Sequence, residues 1–260
     1  MAIIIALFST STIIKAQTAP EPYGYVSFIK TMPNMNESFL IDMKTAKKLA
    51  NGRVANKTIL SWQLFRTAMP TGSSMDHNYF TLSVFPSGKE MKAEGANDAV
   101  MKGMSAKDIA DFYTSVGNTR TVVANDLITY KMGVGAKILP GNYVQINSVN
   151  VKKGSVEAYE KLLESYKPVM EECIKAGKLK GFNVWKRTYA TNVNGEIDYH
   201  VSFSFETLDQ ALSWASGKTS TKDEFKKVYP KEDATKYGAK WNEVRDLVSQ
   251  GLYELVDITD

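Results

Sequence analysis

His200, Arg187, Trp185, Asn147 and Ser202 are the residues of this chain whose types and positions can do chemistry. His200 can act as a general base or a hydrogen-bond donor near neutral pH. Arg187 can hold a carboxylate or enolate oxygen through two parallel N–H donors. Trp185 can stack on a planar ligand. Side chains alternate across a strand. Counting by twos puts Gln145 and Asn147, then Asn183, Trp185 and Arg187, then His200, Ser202 and Ser204 on one face of three strands. The expectation is one polar patch that binds a small molecule. The matching first-half positions, counted the same way, are Ser27 and Ile29, then Trp62, Leu64 and Arg66, then Phe80, Leu82 and Val84, which are mostly apolar. A bland alternative stands beside it: uncovered antiparallel sheets are polar on one face, His200 can be structural, Arg187 can sit in an ion pair as Arg66 would, and Trp185 can be core.

Other chemistries are excluded by what is missing. Two histidines and one cysteine cannot supply a zinc site with ordinary ligand spacing, so no metal is expected. Neither a phosphate-cradling loop nor a nucleophile elbow is present. Gly133-Val134-Gly135 leads into a linker and not a helix, so it is no dinucleotide fingerprint. Cys173 falls on the apolar face of a predicted helix, as a small buried hydrophobe would. His77 closes a predicted hairpin loop over residues 73–77 and is expected to be exposed. Trp214 and Trp241 read as core or as a pocket wall.

The elements that must position these residues occur twice. Tyr25–Ile29 returns as Tyr143–Asn147, Trp62–Thr67 as Asn183–Thr188, and Asn78–Phe85 as Asp198–Phe205. Arg120–Val123 with Leu127 returns as Arg245–Val248 with Leu252. A spacing of this size marks a duplicated domain and not a solenoid. Each half reads strand, helix, strand, strand, helix, strand. In the second half, Ser155 precedes a helix with apolar positions Tyr159, Leu163, Val169, Met170 and Cys173 on one stripe, and Gly177 ends it. Asn192–Gly195 carries hairpin-turn chemistry, and Thr207–Gln210 is a capping box. The first helix of the first half is expected over 37–50, and the last strands of the halves over 127–132 and 252–258. The fold class is α+β: tandem ferredoxin-like βαββαβ repeats, residues 18–136 and 137–260, each an antiparallel sheet with its helices on one face.

Two such units can bury their open faces against each other. The element order and repeated strand motifs resemble the dimeric α/β-barrel superfamily, with the dimer fused into one chain. That superfamily includes antibiotic-biosynthesis-type monooxygenases, haem-degrading enzymes and chlorite dismutase-like proteins. The resemblance implies a sheet-on-sheet barrel and covers nearly all of the mature chain. For a cofactor-independent monooxygenase it implies a planar, electron-rich substrate between sheet and helices, with Asn147, Trp185, Arg187 and His200 as its wall. For a haem protein it implies an axial histidine after the third strand, and no histidine follows His200; no cofactor is expected. The fold does not decide among functions. Small-ligand binding in the second repeat is the leading expectation, with a monooxygenase-type enzyme and a structural barrel without a site as alternatives.

Residues 1–17 read as a signal peptide. Ala2–Ile14 is apolar or small, without acidic residues, and Lys15-Ala16-Gln17 precedes a polar stretch. Roughly 13 apolar-biased residues are too few to span a bilayer as a helix, so a stable membrane anchor is not expected and a periplasmic or secreted location is. Net charge is +4, with basic and acidic residues interspersed, which argues against a nucleic-acid partner. A hydrophobic fraction of 43% is enough for two cores.

Overall fold

The computed structural model describes residues 21–69, 77–91, 104–191 and 197–260. The expected leader, the turn at Asn192–Gly195 and residues 73–76 of the expected hairpin loop lie outside the described residues. The first repeat contains β1 (Tyr23–Thr31), α1 (Asn36–Ala55), β2 (Ser61–Met69), β3 (Tyr79–Phe85), α2 (Gly88–Met91), α3 (Ala106–Thr119) and β4 (Arg120–Gly135). The second contains β5 (Tyr143–Val151), α4 (Val156–Lys175), β6 (Gly181–Ala190), β7 (Tyr199–Phe205), α5 (Leu208–Ala215), α6 (Lys222–Val228), α7 (Ala234–Val244) and β8 (Arg245–Ile258).

Local chemistry sets several boundaries. Thr207 and Gln210 form the expected capping box at α5, and Ser105 with Asp108 forms another at α3. Ser155 occupies the cap position of α4, but its side chain makes no capping hydrogen bond. Gly177 ends that helix at φ +69°, a left-handed conformation that favours glycine. Gly133-Val134-Gly135, expected as linker, instead completes β4. At Gly135, also at positive φ, a side chain would collide with the carbonyl oxygen of Lys180 on the way into β6.

The eight strands close into a barrel in the order β1-β3-β2-β8-β5-β7-β6-β4, all neighbours antiparallel. The halves meet at two seams, β2 with β8 and β4 with β6. Closure leaves no sheet edge unpaired. The last strand of each half is longer than expected because it must serve two neighbours in stagger. β4 pairs with β1 over Arg120–Thr129 and with β6 over Asp126–Gly135. β8 does the same, towards β5 over Arg245–Glu254 and towards β2 over Leu252–Ile258.

The register fixes which residues correspond. Ser27 opposes Thr81 as Asn147 opposes Val201, and Gln63 opposes Leu82 as Asn183 opposes Ser202. Gln63 is therefore the counterpart of Asn183, Phe65 of Trp185, and Arg66 of Lys186. The expected equivalence of Arg66 with Arg187 is wrong by one residue; Arg187 corresponds to Thr67. Three cores result. One fills the barrel lumen and includes Phe28, Phe65, Phe80 and Leu255. The others lie under the helices of each repeat, around Phe39, Met43 and Tyr79 in the first and around Tyr159, Leu163, Met170 and Tyr199 in the second. Cys173 lies in the second-repeat core, where burial pushes its thiol up to about 12, far from nucleophilic at neutral pH.

Candidate functional site

A cavity of about 280 Å³ lies between the sheet of the second repeat and its helices. Its sheet side presents Gln145 and Asn147 from β5 and Gln250 from β8; its helix side presents Tyr159 and Tyr166 from α4, Trp214 from α5 and Trp241 from α7. Tyr159 and Tyr166 meet Trp241 edge to face at 5.8 and 5.5 Å between ring centroids, a favoured aromatic arrangement. The Asn147 Oδ1 accepts hydrogen bonds from Gln145 Nε2 at 2.9 Å and from Gln250 Nε2 at 3.1 Å.

That network leaves groups over. Gln145 is 2% exposed, and its Oε1 has no hydrogen-bond partner among the described residues; the fully buried Tyr159 hydroxyl has none either. A buried polar group without a partner costs about 1–3 kcal/mol. Burial raises the Tyr159 phenol above its ordinary range, and the nearby charge of Arg245 pulls the other way. Arg245, first residue of β8, also lines the cavity and stands 5.4 Å from the centre of the Trp241 ring.

The first repeat shows what the second has changed. Arg120, first residue of β4, holds the place of Arg245 and pairs with Asp42 at 3.2 Å, both side chains under 10% exposed. Asp42 also accepts from Thr119 Oγ1 at 2.8 Å and Ser115 Oγ at 3.0 Å. Helices α1 and α4 superpose residue for residue, so Phe39 packs on Tyr79 as Tyr159 packs on Tyr199. By the same register the counterpart of Asp42 is Leu162. Arg245 has lost its carboxylate and forms no ion pair among the described residues. On the sheet, Ser27 Oγ closes onto Asn125 Oδ1 at 2.8 Å where the second repeat has Asn147 and Gln250.

The expected patch is split between two faces. Asn147, with Gln145, faces the helices, whereas Trp185, His200 and Ser202, with Asn183 and Ser204, face the barrel lumen. In the first repeat likewise, Trp62 and Leu64 belong to the helix-side core while Phe80, Leu82 and Val84 face the lumen. Arg187 is engaged at the β4–β6 seam: its Nη2 donates to Asp126 Oδ1 at 2.9 Å, with the side chains 9% and 1% exposed. His200 bridges Asp126 Oδ2, 3.3 Å from Nε2, and Ser148 Oγ, 3.1 Å from Nδ1. Burial alone would raise the Asp126 carboxyl; the hydrogen bond and charge of His200, with Arg187, outweigh it and hold it below its ordinary value. Arg66 pairs with Glu254 on the outside. His77 is not an exposed loop residue; it packs between Phe28 and Tyr253, at 4.9 and 6.0 Å. Strand alternation did not point to Tyr159, Gln250, Arg245 or Asp126. The signal that finds the first and third is Phe39 against Tyr159 and Asp42 against Leu162 across the repeats.

No protein-family profile matches the sequence, and no curated protein matches it. Solved structures do. The "Putative monooxygenase" of Fusobacterium nucleatum is 9% identical at a TM-score of 0.56, with 94% of this chain and 96% of that one covered. A "putative monooxygenase" of Lactobacillus acidophilus is 12% identical at 0.54, covering 92% and 96%. An "anthrone oxidase-like protein" is 13% identical at 0.52, covering 92% of each chain. Likeness at these identities is a likeness of fold. The closed barrel, the two-seam strand order and these matches together identify the architecture: a dimeric α/β barrel whose two ferredoxin-like halves are joined in one polypeptide.

Proposed function

We propose that this protein binds a small planar aromatic anion, a carboxylate or a phenolate, in the second-repeat cavity between sheet and helices. The observation that carries the reading is Arg245, a cation that keeps its place in the repeat while its carboxylate partner has become Leu162. Around it, Trp241, Tyr159, Tyr166 and Trp214 offer ring faces and edges, and the unpartnered Tyr159 hydroxyl can donate to the anion. Aromatic walls with converging polar groups suit small organic ligands. Calorimetric titration with 2-naphthoate tests the reading: wild-type protein binds, and Arg245→Gln binds at least tenfold more weakly. Equal affinity of the two proteins, or no binding by either, would sink it.

Oxygenation is a second reading, favoured by the same arginine. A cation beside a buried phenol favours the anionic, electron-rich form of a ligand phenol, which is the form that gives electrons to dioxygen. The fold-mates named as monooxygenases and as anthrone oxidase-like make anthrone a rational probe. Its ring methylene would lose two hydrogens and gain one oxygen atom from O₂, giving anthraquinone and water. Oxygen uptake with anthrone in the dark, above the rate without protein and reduced by Arg245→Gln, supports catalysis; uptake at the protein-free rate leaves binding alone. Export by the segment 1–17 belongs to the same proposal, and N-terminal sequencing of native protein would then begin at Gln17 or Thr18.

A further inference from the structure

We infer that the barrel lumen is a second, separate binding site, for an uncharged amphipathic molecule such as an aromatic ring with a hydroxyl on one edge. The lumen holds a cavity of about 270 Å³ on the opposite side of the sheet from the pocket just described. Its two walls come from corresponding strands: Val26 and Ile146, Gln63 and Asn183, and Phe65 and Trp185 match in kind, and four further pairs do not. Phe28 faces inward from the first repeat where Ser148 does from the second, Phe80 where His200 does, Leu82 where Ser202 does, and Val84 where Ser204 does. At those four positions the first repeat presents hydrocarbon and the second hydroxyl or imidazole.

Packing for stability alone does not produce this. A barrel interior of this size is filled by its own side chains or by one small ligand, and an empty void is destabilising. Water in the cavity would wet the polar wall but lie against Phe65 and Phe80, stacked at 4.5 Å. A hydrocarbon would satisfy the phenylalanines but offer nothing to the polar wall, where Ser202 Oγ makes a long hydrogen bond to the Asn183 carbonyl at 3.4 Å. A molecule with one apolar and one hydrogen-bonding edge suits both walls. The polar wall is also fixed in advance. Asp126 holds His200 Nε2, and His200 Nδ1 meets Ser148 Oγ, so imidazole and hydroxyl are oriented before anything enters. Trp185 is held edge to face by Tyr130 at 5.1 Å.

Charge selects against anions deep in the lumen. Arg187 is neutralised by Asp126 behind the wall, and among the described residues lining the cavity Lys137 is the only lysine or arginine. Lys137 is exposed and sits beside the exposed Ala136 on the connection between β4 and β5, which marks that end of the barrel as the entrance.

The test is calorimetric titration of the full chain with 2-naphthylmethanol, an alcohol that forms no phenolate, against wild type, Ser202→Phe and Arg245→Gln. Ser202→Phe fills the lumen; Arg245→Gln alters only the helix-side pocket. The expected result is binding that weakens at least tenfold in Ser202→Phe and is unchanged in Arg245→Gln. No binding by wild type, undiminished binding by Ser202→Phe, or loss in Arg245→Gln alone overturns the inference, and the last outcome assigns the alcohol to the helix-side pocket. Should Ser202→Phe fail to fold, Leu82→Trp fills the same space from the opposite wall. A crystal grown with 2-naphthylmethanol gives an independent readout: a ring between Leu82 and Ser202 supports the site, and ordered water alone there refutes it.

Discussion

Arg120 and Arg245 open the last strands of their repeats at equivalent places, yet one is locked to a buried aspartate and the other faces a cavity. The difference follows from two substitutions on one helix turn: Asp42 becomes Leu162, and Phe39 becomes Tyr159. The first change removes a charge partner and the second adds a hydroxyl with nothing to bond. Equivalent arginines thus serve a structural ion pair in one half and a candidate ligand anchor in the other, and the presence or absence of one carboxylate separates the two.

The comparison can be broken most severely at its structural end. Asp42→Ala leaves Arg120 buried without its carboxylate and should cost about 3–5 kcal/mol, read as a shifted midpoint in urea unfolding; a loss below about 1 kcal/mol would mean the pair is not the lock described. Next in size, Leu162→Asp rebuilds the first-repeat pair in the second. It should lower 2-naphthoate affinity at least tenfold, about 1.4 kcal/mol, by giving Arg245 an internal partner, and unchanged affinity would remove Arg245 from the site. Smaller still, Tyr159→Phe restores the first-repeat residue. It should leave stability unchanged or raise it by up to about 1 kcal/mol, since the lost hydroxyl has no partner. Tyr199→Phe should instead lose about 1 kcal/mol, because that hydroxyl donates to Glu160 at 2.6 Å. Equal effects of the two would show that the Tyr159 hydroxyl is not orphaned.

The last test is read against pH and concerns Asp126. Its folded pKa lies below the ordinary value. Its contribution to stability is therefore fully present above about pH 4, the unfolded carboxylate value, and is lost as pH falls through the depressed folded value. Asp126→Asn should remove that acid-side step from a stability–pH curve; a curve of unchanged shape would contradict the assignment.

Much of the architecture was legible because it is written in local chemistry that occurs twice. The capping box at Thr207 and the stop at Gly177 lie where the sequence placed them, and the strands of the repeat are present, although the matches of β1 with β5 and of β2 with β6 shift by two residues and by one. The site was less legible, and β5 shows why. Alternation sorts the residues of one strand into two faces, but it does not say which face matches which on the next strand. That phase is set by pairing: Ser148 lies opposite His200 and Ile146 opposite Ser202, and directly opposed residues point the same way. Gln145 and Asn147 are more conspicuously polar than Ser148, so the polar pattern suggested the wrong phase. The stagger that lengthens β4 and β8 is likewise a property of closure, invisible within either repeat.

The two seams that join β2 to β8 and β4 to β6 have a consequence for variation. Were the barrel assembled from two identical subunits, every inward substitution would be made twice, and a serine facing the lumen would appear on both sides at once. Joining the halves in one chain breaks that symmetry: Phe28 and Ser148, or Leu82 and Ser202, are encoded separately and can drift apart. A two-faced interior is thus open to a single polypeptide and closed to a homodimer of the same shape.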